Sequence, residues 1–183
     1  MKKLRLFGMF ALTFALVFGA ASCKQDAGPS GDNVADVLKD GEDLSGTWKI
    51  TDGSVYLYSK TNGAEVKYEY DSIAEIVDYM DFEDTSFTLT KDEAKEFFGE
   101  AAADIEHYNE IAEKFDEYKA EMQKIYGSDA TIEGDADARL VINGARTKIT
   151  YYLSTTSYVK GTVAGVSYEA NSEQEIEIVF EKQ

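Results

Sequence analysis

The chain has 183 residues, 35 acids against 18 Lys and Arg, a net charge of −17, and an aromatic complement of 12 Tyr and 10 Phe. A surface this acidic repels phosphate backbones and anionic lipid headgroups, which excludes nucleic-acid binding. With one cysteine and one histidine, neither a disulfide framework nor a zinc site of His and Cys is expected.

Residues 1–22 read as a secretory signal peptide. Lys2, Lys3 and Arg5 form a basic start, an apolar run spans Leu6 to Phe18, and Gly19, Ala20, Ala21 and Ser22 supply small residues before Cys23. The apolar run of about 13 residues is short of the ~20 that a helix needs to cross a bilayer. Cys23 is the single cysteine and sits at the expected cut. Ala20-Ala21-Ser22-Cys23 resembles the lipobox of bacterial lipoproteins, with Ala20 where that family usually has Leu. The resemblance implies cleavage before Cys23, acylation of its thiol and a lipid anchor. Simple secretion by a small-x-small cut is the alternative, and it leaves a lone thiol on an exported protein. Two or more acyl chains, at about 0.8 kcal/mol per buried CH₂, give stable membrane anchoring. Losing Lys2, Lys3 and Arg5 takes the charge from −17 to −20. Lys24 after the anchor resembles no inner-membrane retention signal, so the outer membrane is expected over the inner. Residues 23–43, rich in acids with Gly28, Pro29, Ser30 and Gly31, read as the lipidated N-terminus and a flexible tether. Val34, Val37 and Leu38 offer at most one helical turn.

Residues 44–183 read as a single domain large enough for a hydrophobic core. Strands are expected at 46–50 and 55–59, joined by a turn at Asp52-Gly53, and at 65–70 after the hairpin signal Asn62-Gly63. Val66, Tyr68 and Tyr70 alternate with Glu65, Lys67 and Glu69, the period of a half-buried strand. At 72–81 Ile73, Ile76, Val77 and Met80 shift to helical spacing, and 85–89 returns to a strand. Thr90 with Glu93 makes a capping box. It opens a helix over about 91–126 with an apolar stripe of Phe97, Ala101, Ile105, Tyr108, Ile111 or Ala112, Phe115, Tyr118, Met122 and Ile125. Gly99 is the expected point of a bend or break, and Gly127 the expected C-terminal stop. An acidic turn region is expected from Asp129 to Asp137. Strands then follow at 139–142, 147–153, 157–163, 166–170 and 175–180, the first two joined at Asn143-Gly144. The sum is a mainly β, α+β chain of about nine strands. Its expected form is an antiparallel barrel or sandwich, with a helical insertion over 72–127 whose long helix lies between the fourth and fifth strands.

Gly46-Thr47-Trp48 followed by up-and-down strands resembles the lipocalin-like (calycin) barrels. That resemblance implies Trp48 as the plug of the closed end and an interior able to hold a small apolar or amphipathic ligand. Two departures stand out. The helix interrupts the strand series, and the later Thr-Asp-Tyr motif and late arginine have no match. Trp48 as a plain core residue is the alternative.

No catalytic constellation, metal site or cofactor is expected. His107 lies mid-helix, off the apolar stripe, with no second histidine to join it. Asp78, Asp81, Glu83 and Asp84, and Asp135 with Asp137, group acids without a calcium loop. Gly-x-Ser-x-Gly and phosphate-loop patterns are missing. The candidates for ligand contact are Trp48, Tyr56, Tyr58 and Tyr151, which with Tyr152 put aromatics on both strand faces. The expected function is a non-catalytic, membrane-anchored envelope lipoprotein binding a small apolar ligand. The alternative is a structural or interaction lipoprotein that contacts envelope or host proteins. A cavity of ~300 Å³ or more favours the first, and a core filled by its own side chains favours the second.

Overall fold

The computed structural model describes residues 29–183; the signal peptide, Cys23 and residues 24–28 lie outside the described residues. In chain order the elements are β1 (Asp32–Asn33), α1 (Val34–Lys39), β2 (Gly46–Thr61), β3 (Ala64–Tyr70), α2 (Ile73–Tyr79), β4 (Ser86–Leu89), α3 (Lys91–Glu113), α4 (Phe115–Tyr126), β5 (Thr131–Ile142), β6 (Lys148–Val163) and β7 (Val166–Lys182). The class is α+β, mainly antiparallel sheet. The seven strands make one sheet in the order β1-β5-β6-β7-β2-β3, with β4 on the same edge of β2 as β3 but further along it.

Local chemistry explains the hairpins and helix starts. Asn62-Gly63 and Ala164-Gly165 are two-residue loops with φ of 49° and 88°, and 50° and 81°. Positive φ at both positions gives the turn whose twist matches the strands. Ser72 and Thr90 accept from the backbone N–H groups of Glu75 and Glu93, whose carboxylates reach back to complete two capping boxes. The connection at Asn143 is longer than a two-residue turn. The Asn143 side-chain oxygen accepts from the N–H groups of Thr147 and Lys148 at 2.9 and 3.0 Å, closing a broader loop.

The expected nine short strands reduce to six because three pairs of them are halves of long strands, and the short β1, absent from that expectation, makes seven among the described residues. Residues 46–50 and 55–59 are both β2, 147–153 and 157–163 are both β6, and 166–170 and 175–180 are both β7. Asp52-Gly53 is not a turn. The register against β7 shifts between Ile50 and Asp52, so the extra residue is a bulge. Gly53 is needed there for close approach: a Cβ would stand 2.5 Å from the Glu177 carbonyl oxygen and 3.2 Å from the Ile76 methyl. The polar runs between the other half-strands stay in the sheet because cross-strand partners satisfy them, as in the 2.7 Å bond between the Ser157 and Ser172 hydroxyls. The acidic run from Asp129 to Asp137 is likewise mostly β5 rather than a turn, since Ile132 and Ala138 point into the core and the acids point away.

The single helix expected over 91–126 is two helices. α3 passes through Gly99 unbroken, and the interruption falls at Lys114 (φ −97°, ψ 17°). The break re-aims α4 so that Phe115 and Tyr126 pack with Ala130, Ile132 and Val159 in a small second core. It also rotates the stripe, leaving Tyr118 and Ile125 exposed where continuous periodicity buries them. Residues 32–43, expected to belong to a flexible tether, are docked on the domain. Val34, Ala35, Val37 and Leu44 are buried in the main core, and Asp32 and Asn33 pair with Ile142 and Val141. Arg146 pins this segment through Asp32 at 2.7 Å and Glu42 at 2.9 Å.

The main core lies between one face of the sheet and α1, α2 and α3. Trp48, Ile50, Val55, Ile149, Leu153, Ile176 and Ile178 are fully buried on the sheet side and Phe98 on the helix side. Phe97 and Phe98 meet edge to face at 4.9 Å, and Phe98 meets Trp48 the same way at 5.4 Å. Among the described residues the sheet does not close. β3 and β4 bond only to β2, β1 bonds only to β5, and no ladder joins the two sides. The barrel expectation is therefore corrected to an open sheet with helices on one face. The cause is layer packing: three helices already cover the apolar face, so the sheet need not curl to bury it.

Candidate functional site

Alternation along the long strands sorts the candidate residues onto two faces. Trp48 and Tyr151 point inward, under the helices. Tyr56 and Tyr58 point outward, onto the face that no helix of the described residues covers, and Tyr152 and Tyr158 join them from β6. The four candidates therefore do not share one cavity.

Trp48 has no solvent exposure, and its indole N–H donates to the Leu44 carbonyl at 2.9 Å. It is a core residue whose polar atom is satisfied by the chain entering β2. Nearby, Met80, Phe97, Phe98, Ala101, Leu140, Tyr151, Ile178 and Phe180 line a cavity of about 10 Å³. That is about the space one water molecule occupies, and far below the ~300 Å³ of a ligand site.

Tyr151 donates its hydroxyl to the Asp104 carboxylate at 2.9 Å, joining β6 to α3. Burial pushes the Asp104 pKa up, against the opposing effects of the Tyr151 hydrogen bond and His107. Burial also raises Tyr151 well above the usual phenol value, with the Asp104 charge adding to it, and raises Tyr79 to about 12. Periodicity did not single out Asp104, because it stands one position beside the stripe. Its signal was a carboxylate four residues before Tyr108 on a face flanking the core. The arrangement holds a helix to a sheet through a proton donor and a half-buried acid. His107 itself is exposed on α3. Asp78, Asp81, Glu83 and Asp84 are exposed around the end of α2, and Asp137 is held by Arg139 in a two-pronged ion pair with both contacts at 2.9 Å.

The outward face presents three central strands with a repeating chemistry. Along β7, Glu173, Glu175 and Glu177 point out at every second residue. Tyr58 and Tyr56 stand opposite Glu173 and Glu175 on β2, while Thr156, Ser154 and Tyr152 stand opposite the three glutamates on β6. Same-face neighbours along a strand are about 6.6 Å apart, so the carboxylates form a row of like charge. Among the described residues no cation pairs with these three glutamates. The rims differ. Lys67 lies 5.1 Å from the centre of the Tyr56 ring and 2.8 Å from Glu69, whose charge and hydrogen bond hold the lysine pKa up. Tyr158 donates to Glu169 at 3.0 Å and Lys160 approaches the same carboxylate at 3.3 Å, so Glu169 is held below its usual value. This face offers flat tyrosine rings beside uncompensated carboxylates, the chemistry that takes up ammonium and guanidinium groups. Comparison with protein-family models, curated proteins and solved structures finds no match for this chain.

Proposed function

We propose that this chain is an envelope lipoprotein, anchored by acyl chains on Cys23, whose open sheet face docks a cationic segment of another envelope or host protein. It acts without catalysis, at the outer rather than the inner membrane. The observation that carries the docking reading is the uncovered row Glu173, Glu175 and Glu177, flanked by Tyr56, Tyr58 and Tyr152, over a core with a cavity of only about 10 Å³. The packing of the aromatic side chains of α3 and β7 around that small cavity supports docking on the surface over a ligand held inside. Lys67 over Tyr56 is an internal example of the contact a partner lysine would make. Asp32, where the sheet begins, is nine residues from Cys23, so the domain stays within about 30 Å of the anchor.

Two measurements test the two halves. Cys23→Ser is expected to move the protein from the membrane fraction to the soluble fraction and to abolish metabolic labelling with radioactive palmitate; unchanged partition sinks the anchor. For the face, titration calorimetry with a ten-residue oligolysine is expected to show binding that weakens steeply as salt rises. The triple variant Glu173→Gln, Glu175→Gln, Glu177→Gln is expected to bind at least tenfold more weakly, and Tyr56→Ala with Tyr58→Ala several-fold more weakly. Equal binding by the triple variant, or preference for a neutral glycan over the peptide, overturns the docking reading.

A further inference from the structure

β3 is an edge strand that presents an apolar stripe. Among the described residues it bonds to β2 on one side only. Its inward-pointing Val66 and Tyr68 lie beyond the reach of the helices and are 50% and 53% exposed, against the expectation of a half-buried strand. Tyr68 stacks on Tyr70, which in turn packs on Tyr79 of α2, so the stripe is a preformed surface. An extended edge with exposed apolar side chains and free backbone groups is a template for another strand.

The charge pattern on the other side of β3 selects the occupant. Two copies meeting antiparallel about a two-fold axis keep like faces together, and residue numbers of opposed pairs then share one sum. With Tyr68 on the axis, Lys67 of each copy opposes Glu69 of the other, and Val66 opposes Tyr70. With Lys67 on the axis, lysine opposes lysine and Glu65 opposes Glu69. We propose that two copies of this chain associate through β3, antiparallel and centred on Tyr68, to make one continuous sheet. The Lys67–Glu69 contact within one chain at 2.8 Å becomes two contacts between chains. The association does not depend on the docking face or on the lipid. If both copies are anchored in one leaflet, the two-fold axis stands along the membrane normal and the sheet lies flat. The acidic open face then points away from anionic lipid.

Light scattering during size exclusion, on the full chain in detergent, is expected to give the mass of a dimer. Lys67→Glu is expected to raise the dissociation constant about tenfold or more by turning two attractive pairs into repulsive ones. Lys67→Glu with Glu69→Lys restores attraction and is expected to recover the dimer. In a Cys23→Ser background, Tyr68→Cys is expected to cross-link under mild oxidation, because opposed residues in such a pair have Cα atoms about 4.5–5.5 Å apart, within disulfide range. A monomer mass at 100 μM-scale concentration, a dimer indifferent to the charge swap, or cross-linking at Val66→Cys and not at Tyr68→Cys overturns the proposal. These readouts are separate from oligolysine binding, so either idea can fail alone.

Discussion

The Tyr151 hydroxyl is the donor that makes an acid tolerable at the seam between α3 and β6. Removing it with Tyr151→Phe leaves the Asp104 carboxylate half-buried without that partner, at a cost of about 1–3 kcal/mol. Urea unfolding at neutral pH checks the figure. Asp104 also sets a pH dependence. Burial raises its pKa in the folded chain above the unfolded value. Between those two values the folded state binds more protons than the unfolded state, so this residue's contribution to stability falls as pH rises. Below the ordinary carboxylate range both states are protonated and the penalty is absent. Asp104→Asn keeps an acceptor for Tyr151 and removes the titration. The variant is expected to gain stability relative to the parent on going from pH 3.5 to pH 7. A constant difference between the two across that range contradicts the assignment. Trp48, the chain's single tryptophan and fully buried, provides the fluorescence signal for these titrations.

At the scale of elements, α3 illustrates how a sequence signal can be placed correctly and weighed wrongly. Thr90 and Glu93 announce its start, and the structure has both halves of the capping box. Gly99 is the expected point of a bend or break, and α3 runs through it as one helix. Glycine lowers helix stability through backbone entropy but does not bar the helix, whereas the packing of Phe115 and Tyr126 into the second core requires the chain to turn at Lys114. A Cβ on Gly99 meets nothing within 4 Å. Gly99→Ala is therefore expected to stabilise the protein by about 0.5–1 kcal/mol, read as a higher urea midpoint at unchanged slope. The long strands carry the opposite lesson. Ser, Thr and Asn at 154–157 and 171–172 look like loop composition, and only pairing across β6 and β7 turns them into strand.

Across the whole molecule, residues 32–44 are the segment that fastens the chain's entry to the sheet and helices, and on the proposed reading they join the domain to an anchor at Cys23. Arg146, from the loop between β5 and β6, reaches Asp32 and Glu42 on either side of α1. Arg146→Ala is expected to loosen residues 32–42 and speed amide exchange there at least tenfold, with little change in β6 and β7. High salt acts in the same direction on the parent. Uniform loss of protection across the sheet contradicts a local clamp. Gly31 shares the duty, since a Cβ there would lie 2.5 Å from the Ile142 carbonyl oxygen. The segment's acidity masked its role: Val34 and Val37 gave too little apolar signal to suggest a docked helix, and their burial depends on α3 and β5 being present.

What the amino-acid order determined by itself was whatever depends on neighbours in the chain. That includes the two capping boxes, the Asn62-Gly63 turn, the alternation that sets Ile176 and Ile178 against Glu175 and Glu177, and the helical stripe from Phe97 to Ile111. Each rests on backbone preferences or side-chain periodicity within a few residues. Tertiary structure decided the rest. Pairing with β7 kept Asp52-Gly53 inside one strand, with the bulge at Thr51 just before them, and three packed helices left the sheet open. The position of those helices assigned Trp48 and Tyr151 to the core and Tyr56 and Tyr58 to solvent. Which of two amphipathic faces is covered depends on contacts between residues far apart in sequence, and local periodicity is the same for either choice.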